Sequence, residues 1–375
     1  MGQTCCQESH DEATVATLTA GKVGYEPALD LQNKEDVCDN AAEDAKAPQN
    51  TAAIIAQATE VVEGHMRDFD LDAADAAMGQ ALEELDAAAD LLKATDTYRR
   101  LQQNLGHYER AKELLLADGF ELLWQQDKAR MEVKRDPSCR VFEYRLVIEL
   151  DQPLHKAMAA FEEVDLVHQV QKQLTQPVRS FGACTPWWKA LMSCFNVGFL
   201  KVEMVYELFR YRGRKDGFII EGVHTEFDHS AAGAPRFSRA PGLQVPAASW
   251  RTLRPWALSA NLWKPAQDDS EATTFVHVSR AETGYTLPQW VLDMAAYFVA
   301  RGFAADVQKS ASEASKPGSA WMDRARQDKD GFYHELQLLE QARRRSGPWD
   351  DSMLDRCWHL PAERQNHTPP SLRGN

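Results

Sequence analysis

The chain has 375 residues, too many for one average domain and few for three, and its 44% apolar content suffices for a core. Its net charge of −14 excludes a general nucleic-acid binder, which must cluster Lys and Arg against phosphates. No apolar run reaches the ~18 residues of a membrane span, no N-terminal apolar stretch marks a secretory signal, and seven scattered cysteines suit a reducing compartment better than a disulfide framework.

The first six residues read MGQTCC. Removal of Met1 would give Gly2 the free amine that N-myristoylation takes, although Cys6 stands where the motif has Ser or Thr. One myristoyl chain holds a membrane only marginally and needs a second signal. A polybasic second signal is excluded, because residues 1–60 carry eleven acidic residues against three lysines, a net of −8. Gly2, Cys5 and Cys6 are therefore predicted lipidation sites, with an unmodified tail as the alternative. Residues 1–50, polar and nearly free of aromatics, are predicted to be disordered because they bury too little to offset ordering entropy.

From Thr51 the spacing becomes helical. Ile54, Ile55, Ala58, Val61 and Val62 share a face, then Leu71, Ala74, Met78, Leu82, Leu85 and Leu92, then Tyr98, Leu101, Leu105, Tyr108 and Leu114. Asp70 or Asp72, and Thr95 or Thr97, are the candidate caps. Two or three antiparallel helices are expected over 51–117. They are similar to the hairpins of repeat-type adaptors, but no second copy recurs at a fixed period.

After Asp118-Gly119 the period changes to two. Phe142, Tyr144, Leu146, Ile148 and Leu150 alternate with Glu143, Arg145 and Glu149. Asp151-Gln152-Pro153 stops that strand, and a short helix follows with Leu154, Met158 and Phe161 inward. A second alternation sets Leu200, Val202, Met204, Tyr206 and Leu208 against Lys201, Glu203 and Glu207. It turns at 213–217 and returns through Phe218-Ile219-Ile220. The pattern predicts an antiparallel hairpin with one dry face and one wet face. Arg251–Pro265 and Thr273–Arg280 are strand-like about a polar turn at 266–272. Pro288 then opens an apolar helix with Trp290, Val291, Met294, Phe298 and Val299, ending near Gly302 or Ser310. One further helix is expected over about 321–345, within a polar tail.

A curved sheet with one apolar face and a single covering helix leaves a cavity unless large side chains fill it. The segments VFEYRLVIELDQPLHKAMAAFEEVD, LKVEMVYELFRY, WRTLRPWALSANLWKPAQ with TTFVHVSRAETGY, and TLPQWVLDMAAYFVARGFAADV resemble the START domain, the steroidogenic acute regulatory protein-related lipid-transfer module. The resemblance covers roughly half of the chain. DGFIIEGV (Asp216–Val223) lacks the arginine usual in its segment, and DLVHQVQKQL (Asp165–Leu174) lacks the usual tryptophan.

The resemblance implies an α+β helix-grip fold: a curved antiparallel sheet wrapped around a long C-terminal helix, over residues 118–311. The helical hairpin (51–117) would precede it and a partly helical polar tail (312–375) would follow. The resemblance further implies a pocket sequestering one lipid, whether a sterol, phospholipid or sphingolipid. Its lining candidates are Phe142, Tyr144, Leu146, Ile148, Leu200, Val202, Met204, Tyr206, Trp256, His277, Trp290, Met294 and Phe298, with Tyr144, Tyr206 and His277 as polar contacts. Each also has a plain core reading.

Catalytic signatures are absent from the sequence: no G-x-S-x-G, P-loop, G-x-G-x-x-G or H-E-x-x-H occurs. Asp68, Asp70 and Asp72 imitate an EF-hand, but Ala73 and Gly79 stand where the loop needs Gly and Glu. Cys184 and Cys194 lack paired histidines for zinc. Trp187-Trp188 reads as core, or alternatively as an aromatic pair at a membrane interface. Arg343-Arg344-Arg345 reads as a solvated face, or as a contact to anionic lipid. The expectation is a non-catalytic lipid-binding or lipid-transfer protein without metal or cofactor, tethered by acylation to a cytoplasmic membrane face, with no nucleic-acid partner. The alternatives are a membrane-anchored adaptor that binds a protein through 51–117, and a cyclase-like or hydrolase-like helix-grip enzyme. The enzyme ranks last because the inner-face positions read as mostly apolar.

Overall fold

The computed structural model describes residues 46–345 except 69, 173, 183, 198–199, 214–217, 226–235, 238–239, 248–251, 267–270, 283–285 and 287. The acylation motif and acidic segment, the turn at 214–217 and the polar turn at 267–270 thus lie outside the described residues. Four helical segments come first: α1 (Lys46–Arg67), α2 (Leu71–Leu85), α3 (Ala89–Lys93) and α4 (Asp96–Leu116). Asp70 caps α2 by accepting from the Ala73 amide (3.2 Å), and Thr95 caps α4 by accepting from Tyr98 (3.2 Å). The expected second helix is broken near Asp86, whose φ of 41° leaves the helical region.

Nine strands form one sheet in the order β1 (Glu121–Gln126), β2 (Ala129–Arg135), β3 (Val141–Leu150), β12 (Thr273–Glu282), β11 (Trp256–Pro265), β7 (Phe218–His224), β6 (Leu200–Gly213), β5 (Trp188–Val197), β4 (Arg179–Phe181). Every pairing along this path is antiparallel; a short β10 (Thr252–Leu253) adds in parallel to β6. Two small strands, β8 (Arg236–Phe237) and β9 (Ala240–Gln244), pair apart from it. Helix α5 (Leu154–Glu162) follows β3, and α6 (Gln289–Ala314) follows β12. The sheet is curved and unclosed, and α6 seats on its concave face against β2, β3 and α5. That is the helix-grip arrangement.

The convex face is covered too. Helix α4 packs on β7, β11 and β12, with Leu101 and Leu115 fully buried and Ala111 nearly so. Its His107 stacks on Phe209 (5.1 Å) and on His224 (4.8 Å). The expectation of one wet face is therefore corrected. Glu132, Glu143, Arg145, Glu203 and Glu207 are all buried. They survive burial by pairing, as desolvated charges must. Arg145 and Arg130 flank Glu132 (3.5 and 3.2 Å), Arg254 donates to Glu203 (3.0 Å), and Trp188 Nε1 donates to Glu207 (3.1 Å). Burial pushes the Glu132 carboxyl up, while both arginines pull it back.

The expected helix at 321–345 is two, α7 (Ala320–Gln327) and α8 (Phe332–Arg345). Asp328 (φ 35°) and Gly331 (φ 70°) turn the chain, and the Asp328 carboxylate accepts from the Tyr333 and His334 amides (2.9 Å each). These helices are anchored on α5. Glu340 accepts from the backbone N–H of His155 (2.8 Å), Arg324 reaches Asp165 and Glu163 (2.6 and 2.8 Å), and Trp321, Phe332, Tyr333 and Leu336 are buried. Arg343 is also buried while Arg344 and Arg345 are exposed, so the run is not one basic patch.

Candidate functional site

The register of the strands defines the concave face. Met131, Leu146, His277, Asn261 and Glu221 lie opposite one another across β2, β3, β12, β11 and β7, and Arg210 of β6 lies opposite Glu221. Alternation places Phe142, Tyr144 and Ile148, Phe275 and Ser279, Ser259 and Trp263, Val202, Met204, Tyr206 and Leu208, and Leu191 and Ser193 on the same side.

A row of hydrogen bonds runs across this face. Asn261 Nδ2 donates to Glu221 (2.9 Å), so Asn261 Oδ1 is the acceptor turned to His277 Nδ1 (2.6 Å). His277 must then carry its proton on Nδ1, and Nε2 accepts from the Tyr144 hydroxyl (3.1 Å). Ser279 bonds Tyr144 in turn and pairs with Ser259 (2.8 Å). Glu221 also accepts from Trp263 Nε1 (2.7 Å) and from Arg210 Nε. Arg210 further donates to Glu162 of α5 and to the Pro186 carbonyl (2.7 Å), and Lys189 completes the row on Glu162 (2.6 Å). Burial opposes the Arg210 charge, but Glu162 and Glu221 together hold its pKa above the usual value.

Helix α5 seals one end of the face, where Phe161 meets Trp263 (5.0 Å) and Glu162 meets Arg210. Helix α6 bounds the β2–β12 side, where Phe303 meets His277 (5.1 Å). Between them, Phe142, Ser193, Phe195, Met204, Tyr206, Val223, Asn261 and His277 keep accessible surface although they lie on the inner face. Burial pushes the His277 imidazole down to about 4. Tyr206 behaves likewise: its phenol is raised by burial, with the Glu221 charge adding to the rise.

The predicted residues divide accordingly. Phe142, Met204, Tyr206 and His277 lie on the concave face and keep accessible surface. Tyr144, Leu146, Ile148 and Val202 are buried among neighbours on the same face. Trp256 falls on the convex side, out of phase with Asn261 and Trp263 in β11. Trp290 and Met294 are exposed, at 67% and 45%. For Trp256 the lining expectation is corrected, because strand phase and not apolarity decides which face it takes. The side chains of Leu200 and Phe298 are outside those described. Trp187 and Trp188 are both buried, Trp187 against Phe332 (5.3 Å) and Trp188 at the start of β5, which removes the interfacial alternative. The expectation of a mostly apolar inner face missed Arg210, Glu221, Asn261 and Ser193. The even-numbered phase of β6 does reach Arg210 in the sequence, but its partner on β7 needs the register.

A second, polar cleft of about 570 Å³ lies at the surface between the end of α5 and the α7–α8 turn. Two of its walls, Glu162 and Phe332, are groups that hold Arg210, the ring lying 5.3 Å from the guanidinium carbon. Among the described residues no three His, Cys, Asp or Glu side chains gather to hold a metal ion, and no helix is long and apolar enough to cross a membrane.

No family model and no curated protein matches the chain. Solved structures to which it is similar include human STARD10, at 10% identity and a TM-score of 0.47 over 63% of this chain and 87% of that one. Human StAR-related lipid transfer protein 5 is similar at 12% identity and a TM-score of 0.45, over 56% and 99%. A fragment of the STAR-related lipid transfer protein of Xanthomonas axonopodis is similar at 15% identity and a TM-score of 0.41, over 53% and 100%. These are domains of the type that the sequence motifs resemble. The helix-grip description itself rests on the strand order and the seat of α6.

Proposed function

We propose that the protein is a non-catalytic lipid-binding and lipid-transfer protein that takes one apolar ligand into the hollow between the concave face and α6. The observation that carries this is the set of inner-face side chains, Phe142, Met204, Tyr206 and His277 among them, that keep accessible surface on the concave face whose one side α6 covers, with Phe303 of α6 against His277 (5.1 Å). An internal space of mixed apolar and sparse polar lining suits a largely apolar guest. Ligand exchange requires α6 or a neighbouring segment to move, as closed pockets do. The non-catalytic part rests on how His277 is held. Both ring nitrogens are engaged, and a pKa near 4 makes it a poor general base at neutral pH.

The same proposal includes a tether at a cytoplasmic membrane face by myristoylation of Gly2 and palmitoylation of Cys5 and Cys6, two signals being the number that stable anchoring needs. The rival adaptor reading is weakened because the apolar stripe of α4 is spent against the sheet. Native mass spectrometry and solvent extraction of protein purified from its own cells test the central claim. Co-purifying lipid at about one per chain is expected; an empty protein whose melting point no added lipid raises would refute it. For the tether, Gly2→Ala is expected to move the protein from membrane to soluble fractions, and unchanged partition would exclude the myristoyl anchor.

A further inference from the structure

The polar groups of the concave face fall into two sets. The charged set is closed on itself. Glu221 and Arg210 are at most 2% exposed at the side chain, Glu162 and Lys189 at most 10%, and they alternate in sign along one row. Arg135, the other described cation on this face, is committed to Glu121 and to Asp293 of α6. No described cation on the concave face is thus left to face a guest. A phosphate brought into such a space would keep its desolvation cost uncompensated.

The uncharged set differs. Tyr144, His277 and Asn261 are chained toward Glu221, with donors and acceptors matched. Among the described residues, Ser193 and Tyr206 are bonded only to each other, hydroxyl to hydroxyl at 3.2 Å. One hydrogen serves that bond, so the pair retains a second hydroxyl hydrogen and lone pairs. Both side chains keep accessible surface, beside the half-buried Met204 and along the strands from the end that α5 seals.

We infer that the guest carries a single uncharged oxygen, a hydroxyl or a carbonyl, which docks on the Ser193–Tyr206 pair, and that lipids with a phosphate headgroup are rejected. This deepens the lipid-cavity reading and rests on it. Of the ligand classes considered from the sequence, it retains those with a neutral polar end. The specificity follows from paired charges that cannot be reassigned: drawing Arg210 to a phosphate would leave Glu221 without its cation.

Two matched triplets test the inference with the full-length protein. One is hexadecanol, hexadecane and hexadecyl phosphate; the other is cholesterol, cholestane and cholesteryl sulfate. Each compound is delivered from cyclodextrin, and binding is read by native mass spectrometry and by competition. In at least one triplet the alcohol should bind about tenfold more tightly than its hydrocarbon, the worth of one well-made hydrogen bond, and the anionic ester more weakly than the alcohol. This wild-type ranking needs no variant. The double variant Ser193→Ala/Tyr206→Phe should lower alcohol affinity to that of the hydrocarbon while leaving the hydrocarbon unchanged, a pattern that general loosening does not produce. An ester that binds as well as the alcohol, or an alcohol insensitive to the double variant, overturns the inference and leaves the cavity reading standing. Failure of all six compounds to bind overturns both.

Discussion

The two faces of the sheet are built from the same alternation and end in different states. On the convex face, Glu132, Arg145, Glu203 and Glu207 alternate with apolar residues and would suit solvent, yet α4 and its neighbours cover them. There the charges are paired locally and the space is filled, with Leu101 and Leu115 at 0% exposure. On the concave face the covering helix lies toward one side, and several side chains keep accessible surface inside the domain. Its charges form one row that ends in α5, and its Ser193 and Tyr206 keep accessible surface. Filling makes the convex face structural; on the concave face the cover is less complete. The difference arises from what covers each face, since both have buried charge.

This comparison can be broken, and the severest test is Glu221→Ala. The substitution leaves Arg210, at zero side-chain exposure, with one of its two carboxylates and removes the acceptor of Trp263 and Asn261, so a loss of about 3–5 kcal/mol is expected by denaturant unfolding. A loss below 1 kcal/mol would mean that the row is not the keystone of the concave side. Next, Leu101→Ala opens a cavity under α4 on the convex face and should cost about 2–5 kcal/mol. Ligand affinity of the folded fraction should stay unchanged; an altered affinity would show that the faces are coupled.

A third test uses pH. His277 is held down to about 4 in the folded protein from its ordinary 6.5. Between these values the unfolded chain binds the proton and the folded one does not, so stability falls as pH drops. The contribution is fully present above pH 6.5 and is lost through about pH 4, some ~3 kcal/mol in total. Comparison of wild type with His277→Gln across this window isolates it, and parallel pH profiles would sink the assignment of a desolvated ring. The smallest effect expected is that of Thr95→Ala, which removes the α4 cap and should cost about 1 kcal/mol without touching the hollow.

Much of this is legible in the sequence alone. The period-two runs in β3 and β6 assign Phe142, Tyr144, Met204 and Tyr206 to one side, because Cβ direction alternates strictly along a strand. Asp70 and Thr95 were readable as caps for a local reason: their oxygens reach amides three residues on. The misreadings share a different cause. Trp256 looks like lining by composition, but strand phase turns it to the convex side. Charged positions such as Glu207 look solvated, since nothing in a strand's own pattern announces a helix laid over it. Trp321 and Phe332 sit in a polar tail by composition and are buried because α7 and α8 return onto α5.

The sequence by itself determined which residues could share a face, where helices begin, and that a long sheet would need a cover. Those properties follow from neighbours within a few residues, and backbone geometry carries them. Only the tertiary structure decided that Arg210, Glu221, Asn261 and His277 form one row, because cross-strand register joins residues as far apart as 210 and 277. It alone decided that His277 and Tyr206 keep accessible surface on a face that α6 partly covers, because accessibility is set by how layers meet and belongs to no single strand.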